Sequence, residues 1–111
     1  MYEMEKHGAV NVICGDAPLN VDAIDRLTEL LEESLGGGQP RLVVDLTKVP
    51  LMDSAGIELL LDYRDRCQQC GGDLKLAAPN RLCEDVLFVT GTDQEIEVIP
   101  ETLRAVGSFA R

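Results

Sequence analysis

Aromatic and basic side chains are scarce in this sequence. It holds no tryptophan, two tyrosines, two phenylalanines and one histidine. Lysine and arginine together number ten against twenty aspartates and glutamates, so the formal net charge is −10. Nucleic-acid phosphates and anionic membrane surfaces attract basic side chains and repel this excess of acid. The charge therefore argues against direct binding to nucleic acid.

Long apolar runs are also missing. No stretch approaches the roughly 18–20 residues that a membrane-spanning helix needs, and the first six residues, Met-Tyr-Glu-Met-Glu-Lys, lack the apolar core of a signal peptide. We therefore expect a cytoplasmic protein without membrane insertion. Since 45% of the 111 residues are hydrophobic, we expect the chain to fold as one domain over residues 1–111.

Groups that commonly carry out catalysis are few. The single histidine, His7, falls in a predicted hairpin turn near the start of the chain, which is a poor position for a catalytic triad. The three glycines at 36–38 are not followed by the lysine of a phosphate-binding loop. We therefore expect a chain that is not an enzyme, without catalytic residues and without a cofactor.

The four cysteines, Cys14, Cys67, Cys70 and Cys83, include one close pair. Cys67 and Cys70 have the Cys-x-x-Cys spacing of redox and zinc sites, but zinc would need a second close pair. A redox pair belongs at the start of a helix, where the helix dipole lowers a thiol pKa. Two glycines directly after Cys70 place this pair at a helix end instead. We favour a structural role and no metal site, with a redox or metal protein as the alternative.

Hydrophobic periodicity predicts alternating strands and helices. Apolar residues recur at helical spacing over residues 21–35, between Asn20 as a helix cap and three glycines as a stop. Further helices are predicted over residues 54–70, after Asn80 as a second cap, and near the end of the chain. Strands are predicted over residues 2–6, 9–14, 42–46, 74–78 and 95–99. The order β-β-α-β-α-β-α-β-α predicts an α/β fold, with a central mixed, mostly parallel β-sheet and about four helices packed on it.

Acidic residues concentrate in two groups with few basic neighbours. The first group comprises Asp16, Asp22, Asp25, Glu29, Glu32 and Glu33, and the second comprises Glu84, Asp85, Asp93, Glu95, Glu97 and Glu101. A solvated face explains either group. The alternative is an acidic recognition surface for a basic partner.

The segment 51–56, Leu-Met-Asp-Ser-Ala-Gly, lies at a predicted junction between a strand and a helix. A hydroxyl in the first helical turn, here that of Ser54, lies among unpaired backbone N–H groups at the positive end of the helix dipole, which favours a phosphate. The small neighbours Ala55 and Gly56 suggest access for another protein. The alternative is purely structural, because Asp53 and Ser54 are both ordinary helix caps.

Residues 42–57 read Leu-Val-Val-Asp-Leu-Thr-Lys-Val-Pro-Leu-Met-Asp-Ser-Ala-Gly-Ile. This stretch resembles the signature of STAS domains, the family of the bacterial anti-sigma factor antagonists. The resemblance continues through Gly-Gly-Asp-Leu-Lys-Leu at 71–76 and Leu-Phe-Val-Thr-Gly-Thr at 87–92, and so covers most of the chain. It implies a single STAS-like domain.

The resemblance also implies a phosphorylation switch that regulates transcription. Ser54 would be phosphorylated by a partner that is both an anti-sigma factor and a serine kinase, with a histidine-kinase-like ATP-binding fold. The unphosphorylated chain would bind this kinase and release its sigma factor, and a PP2C-type phosphatase would remove the phosphate. The implied partner-binding residues are Asp53, Ser54, Ala55, Gly56 and Asn20.

The sequence departs from the family pattern before the first long helix. The family usually has Gly-x-Leu-Asp there, whereas residues 15–20 read Gly-Asp-Ala-Pro-Leu-Asn, which is two residues longer. Asn20, in the aspartate position, caps a helix but carries no charge, so a partner contact made by that carboxylate would be weaker. An alternative function is an accessory or scaffold subunit, in a lipid-transport ABC system or a signalling assembly, without sigma-factor control.

Overall fold

The computed structural model describes residues 1–110 and has the predicted order of strands and α-helices. The strands are β1 (Tyr2–His7), β2 (Val10–Gly15), β3 (Arg41–Asp45), β4 (Asp73–Ala77) and β5 (Val98–Ile99). The α-helices are α1 (Ile24–Leu35), α2 (Ser54–Gln69), α3 (Arg81–Val89) and α4 (Thr102–Ser108). Single 3₁₀ turns occupy Val21–Ala23 and Thr92–Gln94. None of the helices in this described part of the chain is long and apolar enough to cross a membrane.

The five strands form one mixed sheet in the order β1-β2-β3-β4-β5. β1 and β2 pair antiparallel as a hairpin, and each later pair of neighbours is parallel. The register sets Val12 beside Val43, and Val43 beside Lys75. Each parallel pair is connected through a helix, as parallel pairing requires. The predicted α/β fold with a mixed, mostly parallel sheet is confirmed.

Alternating residues of the central strands face two separate cores. On β3, Leu42 and Val44 belong to the larger core, which α1, α2 and α3 cover, while Val43 belongs to the smaller core beneath α4. All three side chains are fully buried, which explains why this strand is apolar on both faces. α2, which begins at Ser54, therefore packs on the three-helix face of the sheet.

A buried cation fixes α4 to the opposite face. The ammonium of Lys75 on β4 donates to Ser108 Oγ at 2.6 Å and lies 3.4 Å from Glu97 Oε1. The same ammonium lies 4.3 Å from the centre of the Phe109 ring. These contacts offset the cost of taking the charge out of water.

The cap predicted at Asn80 is confirmed, whereas Asn20 caps a 3₁₀ turn and α1 itself begins after Ala23, without a side-chain cap. Asn20 Oδ1 accepts from Asp22 N at 3.0 Å and starts the 3₁₀ turn that leads into α1. α1 itself therefore begins a few residues later than the apolar periodicity predicted. Asn80 Oδ1 accepts from Cys83 N at 2.8 Å at the start of α3.

The structure differs from the prediction at the first turn and at the last strand. The hairpin turn occupies residues 8–9, one residue later than predicted, so His7 ends β1. β5 has two residues instead of the predicted five. The amides of Glu95 and Ile96 both donate to Thr92 O within a helical turn. Because these amides are already bonded, the chain joins the sheet only after that turn.

Candidate functional site

Ser54 is the first residue of α2, directly after the loop that leaves β3. Its side chain is exposed, as is that of Asp53. Asp53 is the helix cap, since its Oδ1 accepts from Ala55 N at 3.0 Å and from Gly56 N at 3.3 Å. One carboxylate oxygen thus satisfies two of the amides that a helix start leaves unpaired.

This cap changes the expectation for a phosphate at Ser54. The sequence suggested that amides of the first helical turn would receive the phosphate, but those of Ala55 and Gly56 are bonded to Asp53. A phosphate on Ser54 would lie near the positive end of the helix dipole and also beside a carboxylate. Attraction to the helix and repulsion by Asp53 oppose each other, so the fold itself gains little from the phosphate.

The Ser54 loop (residues 46–54) is held from the side of α1 by Leu19. Leu19 N donates to Leu51 O at 2.9 Å, and Asp53 N donates to Leu19 O at 3.2 Å. Leu19 and Met52 thereby form an isolated parallel bridge. Because Asn20 follows Leu19 directly, these bonds bring Asn20 next to the start of α2, although the two segments are far apart in sequence.

The same loop is held from the side of α3 by Asn80. Asn80 Nδ2 donates to Val49 O at 3.1 Å and to Pro50 O at 3.2 Å. The sequence predicted the cap made by the side-chain oxygen of Asn80 but missed these two bonds. An asparagine cap, unlike an aspartate or serine cap, carries an NH₂ group with two donors. The choice of asparagine at residue 80 was therefore the sequence feature that could have indicated these bonds.

Gly56 is buried against Leu19. A Cβ on Gly56 would lie 2.0 Å from Leu19 Cδ2 and 2.3 Å from Leu19 O, far inside the normal contact distance between carbon atoms. The small size of Gly56 therefore serves packing within the chain, instead of the partner access that the sequence suggested. Ala55, its neighbour, is partly exposed.

Exposed apolar side chains lie on the Ser54 loop and on the two segments bonded to it, which are the turn after Leu19 and the start of α3. Leu51 in the loop is 40% exposed, Val21 beside Asn20 is 69% exposed, and Leu82 in the first turn of α3 is 53% exposed. Exposed acids lie among them, namely Asp22, Asp25, Asp53, Glu84 and Asp85. Apolar side chains mixed with hydrogen-bonding groups are typical of a surface that binds another protein.

The cysteine pair lies at the far end of α2, as predicted. Cys67 is fully buried, and this burial raises the pKa of its thiol to about 11. Cys70 is exposed, and all four cysteines are free thiols. Within residues 1–110, no three histidine, cysteine or acidic side chains are grouped so that they could hold a metal ion.

The raised pKa predicts that Cys67 reacts poorly with alkylating reagents. With a thiol pKa of about 11, only about one Cys67 in a thousand is a thiolate at about pH 8, and that fraction rises with pH. Brief treatment of the folded protein with iodoacetamide should label Cys70 and spare Cys67, as measured by peptide mass mapping. The urea-unfolded chain, in which both should react, is the control. Fast labelling of folded Cys67 would favour the redox alternative. Stoichiometric zinc in a metal analysis of the purified protein would favour the metal alternative.

The model of the STAS domain family matches residues 1–105. The chain belongs to the STAS domain family. This finding confirms the resemblance to the STAS family, which covered most of the chain, and extends it to residues 1–105. A search among curated protein sequences finds no match.

Solved STAS structures share this fold at low sequence identity. An anti-sigma-factor antagonist (STAS) domain protein from Planctomyces limnophilus is 23% identical, with a TM-score of 0.86 over 99% of this chain and 98% of that one. Bacillus SpoIIAA, an anti-sigma factor antagonist, is 16% identical. Its unphosphorylated form has a TM-score of 0.82 over 99% of this chain and 96% of that one, and its phosphorylated form has 0.72 over the whole of both chains.

The fold also occurs inside a larger membrane protein. The murine anion transporter Slc26a9 is 17% identical, with a TM-score of 0.76 over 92% of this STAS domain but only 18% of the transporter. Proteins with different functions therefore share this architecture, and the function has to be argued from the surface around Ser54.

Proposed function

We propose that this chain is a regulatory protein-binding module of a partner-switching cascade. The unphosphorylated form binds an anti-sigma factor that is also a serine kinase with a histidine-kinase-like ATP-binding fold, and so releases a sigma factor. Phosphorylation of Ser54 ends this binding, and a PP2C-type phosphatase restores it. The observation that carries the proposal is an exposed serine at the start of α2, beside Asp53, on a STAS domain.

The support from geometry is that the Ser54 side chain is exposed and that the backbone of the loop before it is held in place. Hydrogen bonds from Leu19 and Asn80 hold the loop that precedes Ser54. The exposed apolar side chains of Leu51, Val21 and Leu82 give a partner surface area to bury near this hydroxyl. The support from comparison is that SpoIIAA, which has the same fold, is known in phosphorylated and unphosphorylated forms.

The proposed switch acts at the interface and leaves the fold intact. Phosphorylation adds about −1.5 to −2 charges at neutral pH, directly beside the carboxylate of Asp53. In the free chain, water solvates that charge. In the complex, the phosphate loses its solvating water where the partner covers it. A charge that lacks a compensating partner in an interface weakens binding.

We expect phosphorylation to cause only local structural change. The amides of Ala55 and Gly56 keep their bonds to Asp53, so nothing in the helix start has to rearrange. Backbone amide NMR spectra of the modified and unmodified chain should differ at residues near Ser54 and in the adjacent turn at Asn20. Shifts spread through all four helices would contradict the interface mechanism.

The function is tested by phosphate mapping. The chain is incubated with ATP and an extract of the cells that produce it, and then digested with trypsin. The peptide 49–64 contains one serine, Ser54, and no threonine, so a phosphate gained there and absent from the Ser54→Ala variant identifies the site. Absence of phosphate, together with capture of a permease–ATPase pair by the immobilised chain, would favour the accessory-subunit alternative.

A further inference from the structure

The turn between β4 and α3 makes unusual contacts for a simple connection. Its last residue, Asn80, uses both ends of its side-chain amide: Oδ1 caps α3 at Cys83 N, and Nδ2 donates to Val49 O and Pro50 O at 3.1 and 3.2 Å. The thiol of Cys83 adds a weaker contact to Val49 O at 3.6 Å. The start of α3 and the Ser54 loop are therefore connected through one side chain.

The backbone just before Asn80 is strained. Ala78 has a φ of +54°, and among residues 1–110 it is the one non-glycine residue with a positive φ. An L-residue adopts this conformation at a cost, which persists only where surrounding contacts enforce it. One such contact is the bond from Ala78 N to Ile99 O at 2.9 Å. This turn leads directly into Asn80, so its shape helps to aim the side-chain amide at the Ser54 loop.

Leu19 holds only the second half of the loop, and Asn80 adds bonds to the first half. The bonds to Leu19 involve Leu51 and Asp53, whereas Asn80 binds the carbonyls of Val49 and Pro50. Without the Asn80 donors, the exposed carbonyl of Pro50 keeps only water as a partner, and the weaker contact from the Cys83 thiol to Val49 O is left to connect the loop to α3.

We propose that Asn80 is a positioning residue for Ser54, which makes the Ser54 loop and α3 one unit for recognition by the kinase. The proposal rests on the proposed function, because it assigns to Asn80 the placement of the phosphorylated hydroxyl. The exposed Leu82 lies in the first turn of the same helix. A partner that docks on α3 thereby finds the hydroxyl of Ser54 at a fixed place.

The informative variant is Asn80→Asp. Aspartate caps a helix as well as asparagine does, so α3 keeps its bond from Cys83 N. The carboxylate has no donors, and it places negative charge opposite the carbonyl oxygens of Val49 and Pro50. A second variant, Asn80→Ser, keeps a capping oxygen and removes the two donors without adding charge. Ile13→Val, in the buried core away from this loop, is the control for a general loss of stability.

The first measurement is amide hydrogen exchange of the purified protein. In both Asn80 variants, the hydrogen-bonded loop amides of Val49 and Asp53, which donate to Leu46 O and Leu19 O, should exchange about threefold to tenfold faster, which is the effect of losing one or two exposed hydrogen bonds. Amides in the middle of α3, such as that of Leu87, should keep their rates. Unchanged exchange in the loop, or equal acceleration in Ile13→Val, would overturn the proposal.

The second measurement is the rate of phosphate incorporation into the peptide 49–64 with ATP and the same cell extract. We expect both Asn80 variants to be phosphorylated more slowly than the unaltered chain and than Ile13→Val. A faster-exchanging loop with an unchanged phosphorylation rate would overturn the positioning role. If the unaltered chain itself takes up no phosphate, the proposed function fails and this role fails with it. The exchange measurement still decides separately whether Asn80 holds the loop.

Discussion

Replacing Gly56 with alanine is expected to lower the free energy of unfolding by about 2–4 kcal/mol, through overpacking and partial loss of the α2 cap. The added Cβ would lie 2.0 Å from Leu19 Cδ2 and 2.3 Å from Leu19 O. The second contact is with backbone, which cannot rotate away as a side chain can. Leu19 has to move, and its movement disrupts the hydrogen bonds from Leu19 N to Leu51 O and from Asp53 N to Leu19 O.

The measurement is urea unfolding of Gly56→Ala beside a matched control, Gly107→Ala. Gly107 also lies in a helix, but a Cβ there meets nothing within 4 Å. Alanine at Gly107 should therefore leave stability unchanged or raise it by up to about 1 kcal/mol, because glycine is a poor helix residue. Equal stability of Gly56→Ala and the unaltered chain would contradict the close packing of Gly56 on Leu19.

Replacing Ser54 with aspartate is expected to weaken binding to the proposed kinase partner by about 30-fold or more. A charge that is buried in an interface without a partner costs about 2–5 kcal/mol, and the new carboxylate also lies beside that of Asp53. Ser54→Ala removes the hydroxyl without adding charge, so it should bind nearly as the unmodified chain does.

The control for added charge is Gln69→Glu. Gln69 is exposed at the opposite end of α2, so glutamate there adds one negative charge away from the Ser54 loop. Isothermal titration with the purified kinase should give nearly unchanged affinity for this variant. If Gln69→Glu weakens binding as much as Ser54→Asp, the total charge of the chain, rather than its position at Ser54, governs the interaction.

Local sequence signals predicted most of the elements that carry the site. The glycines after residue 35 and the capping side chains of Asn20 and Asn80 act on their immediate neighbours, so their effects could be predicted without tertiary structure. The apolar run of β3 predicted a strand buried on both faces, because such a strand needs apolar residues at consecutive positions. Ser54 at the start of a helix followed from the same local arguments.

Contacts between distant segments could not be predicted in this way. Nothing near Gly56 in the sequence indicates that Leu19 packs on it, and the bonds from Asn80 Nδ2 to Val49 and Pro50 span about thirty residues. The last strand was predicted too long because acidic and apolar residues alternate from residue 95 onward, as they do in a strand with one exposed face. In the structure, the first two amides of this stretch are instead bonded to Thr92 O in a helical turn. These differences come from tertiary packing, which overrides local preference.

The most direct test of the account compares the affinity of the unmodified and the Ser54-phosphorylated chain for the purified kinase. We predict that phosphorylation weakens binding by about 30-fold or more, and that treatment with a PP2C-type phosphatase restores the original affinity. The free energy of unfolding of the two forms should be nearly equal, because the phosphate lies on an exposed side chain. Equal affinity of the two forms for the kinase would contradict the proposed switch.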